Sequence, residues 1–322
     1  RNTQGVPTGI LRETAIDLVS TILDASGAVT DDALVETFHG LARMGITSVG
    51  AILGLGDGPW ASLGDEVARV VAIADRLPIT VHGFVIAHTP EALADAAHRL
   101  ESRGDRLRWL GYKGFADGSL GGHTAAMHAP FADRPGETGT MRLDAGDRLL
   151  AEASLDLGGM VAIHAIGDRA NGAVIDLFED LIADGADPRR LRVEHASVLA
   201  RSDIERMARL GVTASVQPAF LGSEFDWIAD RVGADRIVST YPFASLDYAG
   251  VPMCGGSDSP VESPDPWAGM ALARDRAGVL PSEGLLPDRA LSLFTDGAAA
   301  ALGEPLPLSS GSPADIVVVD RD

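Results

Sequence analysis

Short apolar runs recur along this chain, separated by longer stretches in which apolar positions return every three or four residues. The runs Ile46–Ile52, Ile79–Ile86, Leu107–Phe115, Met160–Ile166, Leu191–Ala196, Val212–Gln217 and Val251–Gly255 carry few charges and many branched side chains, and they read as strands buried on both faces. The intervening stretches carry helix punctuation. Thr30-Asp31-Asp32 precedes Ala33–Met44 and Gly45 follows it, Thr89-Pro90-Glu91 opens a helix reaching Arg103, and Asp144 opens one reaching Gly158. Ser202-Asp203 leads Ile204–Leu210, Glu262–Pro266 introduces Trp267–Ala277, and Pro287-Asp288 introduces Arg289–Leu302. Seven strands, each followed by helical sequence, predict a parallel α/β sheet, closed or doubly wound by its crossover helices. Closure as a (β/α)8 barrel takes one strand more.

Three other segments stand apart from this alternation. Residues 116–140 are long, irregular and rich in glycine, proline and histidine, as loops that do chemistry often are. Gly54-Leu55-Gly56-Asp57-Gly58 lacks the spacing of a dinucleotide-binding turn and reads as a mobile loop. Residues 311–322 form a turn followed by a fresh apolar run, Ile316–Val319, which divides the chain into a barrel over 1–310 and the first strand of something further.

Charge narrows the partners. A net charge of −20 makes nucleic acid and anionic membrane poor ligands, and no apolar run is long enough to span a bilayer. A small-molecule substrate and a homodimer, the commonest oligomer, are the expected partners. Cys254, the one cysteine, sits in an apolar run and reads as a core residue of a protein in the reducing cytoplasm. His82, inside a predicted strand, likewise reads as core.

One position changes the picture. Of 26 basic residues, Lys113 alone is lysine, and it lies in an apolar strand. Arginine cannot shed its proton in a protein, whereas a buried lysine can, becoming a nucleophile, a Schiff-base former or an acceptor of carbon dioxide as a carbamate. In parallel α/β folds the carboxyl ends of the strands face the reaction site. Lys113, His164, His195 and Asp258 occupy such places on four different strands. Imidazoles and a carboxylate suit zinc and similar divalent ions, and a lysine carbamate would add an oxygen donor able to bridge two of them. Ions so held lower the pKa of a shared water, and Asp258 could carry its proton to a leaving nitrogen.

At these residues a resemblance becomes specific. GVPTGILRETA at 5–15, YKGFADGSLGGHTAA at 112–126, VAIHAIGDRAN at 161–171, LRVEHA at 191–196, SVQP at 215–218, GGSDSPVESPDP at 255–266 and GSPADIVVVD at 311–320 run in order along the chain. Together they resemble the amidohydrolase superfamily, in its YtcJ-like branch, amidohydrolase family 3. The resemblance implies a TIM barrel of the metal-dependent hydrolase type with a small β-sandwich, cleaving a non-peptide carbon–nitrogen bond, of amide or formamide type, by metal-activated water. Carried over, Lys113 becomes a carboxylated ligand, His164 and His195 complete one site, and Asp258 binds a second ion and acts as general base. One or two divalent ions, zinc foremost, are the implied cofactors, with carbon dioxide held as the carbamate on Lys113. His123, Asp117 and Asp168 become candidates for substrate contact or for orienting the ligands.

Such enzymes also carry a His-x-His pair on the first barrel strand, ahead of the GVPTGILRETA block, and no His-x-His occurs among the eight histidines here. The expectation is therefore a barrel whose first strand is absent from the chain, with Ile316–Val319 as a remnant of the β-sandwich. Three alternatives stay open: a mononuclear deaminase-like site with an unmodified lysine, a Schiff-base aldolase with Lys113 as nucleophile, and a catalytically inactive barrel fragment.

Overall fold

The computed structural model describes residues 4–6, 9, 29–56, 64–102, 104–305, 310–311 and 314–319. Within them, seven parallel strands form one sheet in chain order: β1 (Ser48–Gly54), β2 (Thr80–Ile86), β3 (Leu107–Phe115), β4 (Met160–Ala165), β5 (Leu191–His195), β6 (Thr213–Val216) and β7 (Met253–Gly255). All seven predicted strands are present. The sheet curls strongly, because side chains three strands apart meet across its concave face: the Arg192 guanidinium of β5 lies 4.5 Å from the Phe84 ring centroid of β2. A Cβ on Gly50 of β1 would fall 3.2 Å from Leu302 and 4.0 Å from both Arg192 and Leu110. That crowding explains glycine at position 50. No ladder joins β7 back to β1 among the described residues, so this is a partial barrel.

Helices cover the convex face: α1 (Asp31–Arg43), α2 (Glu66–Ala72), α3 (Pro90–Glu101), α4 (Ala145–Asp156), α5 (Asp168–Ala183), α6 (Arg201–Leu210), α7 (Phe220–Glu224), α8 (Ile228–Val232), α9 (Phe243–Ala249), α10 (Pro266–Asp275), α11 (Pro287–Phe294) and α12 (Asp296–Ala301). The predicted caps hold: Thr30 and Thr89 each accept from the third backbone N–H that follows, at 3.2 Å, and Asp144 forms a reciprocal box with Asp147. The 16-residue α5 and the short α2 were not delimited from sequence. In α5 the reason is plain, since its N-cap is Gly167, which offers no side-chain oxygen. None of these helices is long and apolar enough to cross a membrane.

Two apolar layers result. The larger lies between sheet and helices, and a small inner one packs Phe84, Leu110 and Ala162 under Leu302, the residue that follows α12. Glu304 closes the same end by accepting from Ser48 Oγ at 3.0 Å and pairing with the buried His82 at 2.8 Å. His82 is thus a satisfied core histidine and Cys254 a buried free thiol, as read from sequence. Residues 314–319 carry no strand ladder, and Val318 is 90% exposed. A β-sandwich is therefore not in view among the described residues. Most of the GVPTGILRETA block, together with Asp57 and Gly58 of the glycine-rich loop, lies outside them.

Candidate metal centre

The curl brings the carboxyl ends of β3, β4, β5 and β7 together. Lys113 pairs in register with Ala162, and His164 sits between Phe115 on one side and Glu194 on the other. Rings then touch in sequence: Lys113 Nζ lies 3.8 Å from the Phe115 centroid, Phe115 is 5.6 Å from His164, His164 4.5 Å from His195, and His195 stacks on Phe220 at 5.7 Å with 15° between planes. The backbone is strained where these groups project. His195, Ala196 and Asp258 have φ of 72°, 46° and 55°, a region that non-glycine residues seldom occupy and that marks functional turns.

Burial disfavours the charged forms of Lys113, His195 and Asp258. Burial lowers the Lys113 ammonium to about 8, against the opposing pull of the Glu194 and Asp258 carboxylates. Its Nζ donates to Gly114 O at 2.8 Å. Burial, then His164 and Lys113, hold His195 well below the ordinary imidazole range, so it is neutral. Burial also raises Asp258, while Lys113 and His164 pull it back down. Glu194 itself pairs with Arg192.

Hydrogen bonding fixes which nitrogen of each ring is available. His164 Nε2 lies 2.9 Å from Gly118 O, and a carbonyl can only accept, so Nε2 carries the proton and Nδ1 the lone pair. His195 Nδ1 lies 2.8 Å from Gln217 Oε1, whose amide is oriented by donating to Ser215 O at 3.2 Å. Its lone pair is therefore on Nε2. Two imidazoles, each anchored through one nitrogen and presenting the other, are what divalent-metal ligation requires. No cluster of three His, Cys, Asp or Glu side chains able to cage an ion occurs among the described residues. The donor set instead needs Lys113, which fits an ion only once its amine has lost its charge.

The remaining predicted residues take distinct places. Asp117 is buried and ties the 116–140 loop to the end of β4, accepting from Ile166 N at 3.0 Å and from Gly167 N and Ala126 N at 2.8 Å, with His164 Nε2 3.2 Å away. Asp168 opens α5 and accepts from His128 N at 2.8 Å, away from the four groups. His123 has φ 57° and contacts Asp133 through Nε2 at 3.1 Å, and its buried Nδ1 has no hydrogen-bond partner among the described residues. Gln217 and Phe220 were not singled out as site residues. The signals for Gln217 are its place as the polar end of the Val212–Gln217 run and its membership of the SVQP block. A cavity of about 990 Å³ lies at the opposite end of the sheet, among Ile46, Ile79, Trp267 and Val317, and has no part in this site.

The amidohydrolase family model matches residues 1–322. The chain belongs to the amidohydrolase family. It is 31% identical over 339 residues to YtcJ of Bacillus subtilis, covering 100% of this chain and 62% of that protein. It is 28% identical over 344 residues to the N-substituted formamide deformylase of Arthrobacter pascens, again 100% of this chain against 62% of the relative. An uncharacterized metal-dependent hydrolase from Pyrococcus furiosus superposes with a TM-score of 0.81 at 32% identity, over 98% of this chain and 65% of that one. This amidohydrolase chain thus spans less than two thirds of the length of these relatives.

Proposed function

We propose that this chain carries the hydrolytic centre of a metal-dependent amidohydrolase that cleaves a non-peptide carbon–nitrogen bond in a small amide, of the N-substituted formamide type. The observation that carries the reading is the one lysine, buried with a lowered pKa beside two imidazoles that are each anchored through one ring nitrogen. The name of the Arthrobacter pascens relative supports the substrate class. His164 through Nδ1, His195 through Nε2 and Lys113 as its carbamate would hold a divalent ion, zinc foremost, with Asp258 beside a second. Such ions supply Lewis acidity, lowering the pKa of water and polarising a carbonyl.

The chain's own groups do the rest. Asp258, raised by burial, takes the proton of the attacking water as its oxygen bonds to the carbonyl carbon. The carbon–nitrogen bond then breaks, and the proton passes from Asp258 to the departing nitrogen, giving an amine and a carboxylic acid, which ionises by releasing its remaining proton to solvent. Phe115 and Phe220 flank the imidazoles and keep water off their faces. The unpaired Nδ1 of His123 is the acceptor we assign to a substrate N–H, Asp117 orients His164, and Asp168 holds the loop through His128. The lone buried thiol and the acidic surface suit the cytoplasm.

The test is metal content per chain, by elemental analysis, for wild type and for Lys113→Ala. Zinc present in the wild type at about one or two ions, and lost in the variant, is the expected result. Equal metal in both would remove Lys113 from the site and with it this reading.

A further inference from the structure

Past the ring stack lies a carboxyl that the hydrolytic reading leaves unused. Phe220, stacked on His195, opens α7, and Glu224 stands four residues on, on the same face, about 6 Å further along the axis. Helical side chains lean toward the N-terminus, so the Glu224 carboxyl reaches back over Phe220. Tyr241 donates to its Oε2 at 2.6 Å, while Oε1 accepts no hydrogen bond among the described residues. Tyr241 is itself held firmly. It is buried with φ 46°, its N–H bonds Ser197 O at 2.6 Å, two residues beyond His195, and the fully buried Arg276 donates to its carbonyl at 2.6 Å. Ser223, next to Glu224, bonds Glu262 in the segment that follows Asp258. The segment after His195 thus reaches this carboxyl through Tyr241, and the segment after Asp258 reaches its neighbour Ser223.

The nearby cation is already committed. Arg231 pairs with Asp133 at 2.8 Å, donates to Leu120 O in the loop after β3, and lies 5.0 Å from the Trp227 centroid. Glu224 and Glu262 have no ion-pair partner among the described residues. We propose that Glu224 is a specificity-determining residue of the amidohydrolase site, its free oxygen accepting from an ammonium or amine N–H on the part of the substrate remote from the scissile bond. Phe220 and Trp227 supply the aromatic faces that commonly accompany such a cation. Burial pushes Glu224 up to about 7, a cost that an arriving ammonium offsets by favouring the ionised form.

This rests on the proposed hydrolytic function, so the experiment has two arms, both on the full chain loaded with zinc in about 0.15 M salt. In the first, formate release is followed from N-(5-aminopentyl)formamide and from N-hexylformamide, in which a methyl replaces the ammonium. The kcat/KM ratio should favour the ammonium about tenfold in wild type and collapse toward unity in Glu224→Gln, as expected for a charge-assisted hydrogen bond. In the second, equilibrium binding of hexylammonium and of hexan-1-ol is compared by calorimetry, with Glu224→Ala as a second variant should Glu224→Gln fail to fold. The preference for hexylammonium should fall about tenfold in the variant. A preference unchanged by either substitution, or absent from wild type, overturns the proposal. If neither formamide is cleaved while the amine preference is present and depends on Glu224, the hydrolytic reading fails and the specificity assignment stands.

Discussion

Asp117 offers the most direct test of how this site is built. Its side chain is fully enclosed, and its two oxygens accept from three backbone N–H groups while facing His164. In Asp117→Asn one oxygen remains to serve one pair of donors, and the other becomes an NH2 group pointed at N–H donors. With the oxygen kept toward Gly167 and Ala126, and His164 Nε2 still bonded to Gly118 O, one buried donor, the Ile166 N–H, loses its acceptor, at roughly 1–3 kcal/mol, so the variant should lose about 2 kcal/mol. The assay is urea unfolding at pH 7, followed by far-UV circular dichroism and by fluorescence of the four tryptophans. With a slope no steeper than about 3 kcal/mol per M, the midpoint should fall by at least about 0.6 M. Asp168→Asn is the control, because that half-exposed carboxylate accepts from only one N–H distant in sequence, and it should cost about 1 kcal/mol. If Asp117→Asn moved the midpoint by less than about 0.3 M at constant slope, the knot would not be holding the loop and the reasoning would be wrong.

Three further outcomes follow from the same geometry. Gln217→Leu removes the acceptor that fixes the His195 tautomer and should weaken zinc binding about 10- to 100-fold in a chelator competition while far-UV circular dichroism stays unchanged; unaltered affinity would refute the tautomer assignment. Gly167→Ala places a Cβ 2.0 Å from Ala126 O, a backbone atom that cannot yield, and should leave little folded protein, whereas Gly121→Ala meets open space and should stay within about 0.5 kcal/mol of wild type by thermal melting. Glu224 is a carboxyl whose folded pKa is raised, to about 7, so the native state holds the proton longer than the unfolded chain does. Stability is then lost as pH rises from the unfolded value near 4.5 toward 7, and Glu224→Gln, which does not titrate, should gain on wild type by about 1–2 kcal/mol at pH 8 relative to pH 4, a figure reduced for partial exposure; a constant difference in urea midpoint across that range would refute it.

The strands were legible because burial on both faces writes itself as uninterrupted apolar sequence, and β3 matched residue for residue. The strand-end rule then collected Lys113, His164, His195 and Asp258 without knowledge of contacts. What escaped is what depends on distant chain. Nothing local to Gln217 says that its amide reaches back 22 residues to His195. Phe220 and Glu224 belong to a five-residue helix too short to show a period. The α5 boundary was lost because its cap is a glycine, placed there by the carbonyl of Ala126 rather than by any capping chemistry.

The strict β1-to-β7 order carries a consequence for biogenesis. Each strand is laid beside the one synthesised just before it, so during translation every new βα unit finds its template already in place, and strand pairing never waits on a distant segment. The chemistry is timed differently from the scaffold. Lys113, His164 and His195 come from three consecutive strands, but Asp258 leaves the ribosome only after β7. A nascent chain therefore gains its architecture gradually, and the carboxylate proposed here to carry the proton arrives last.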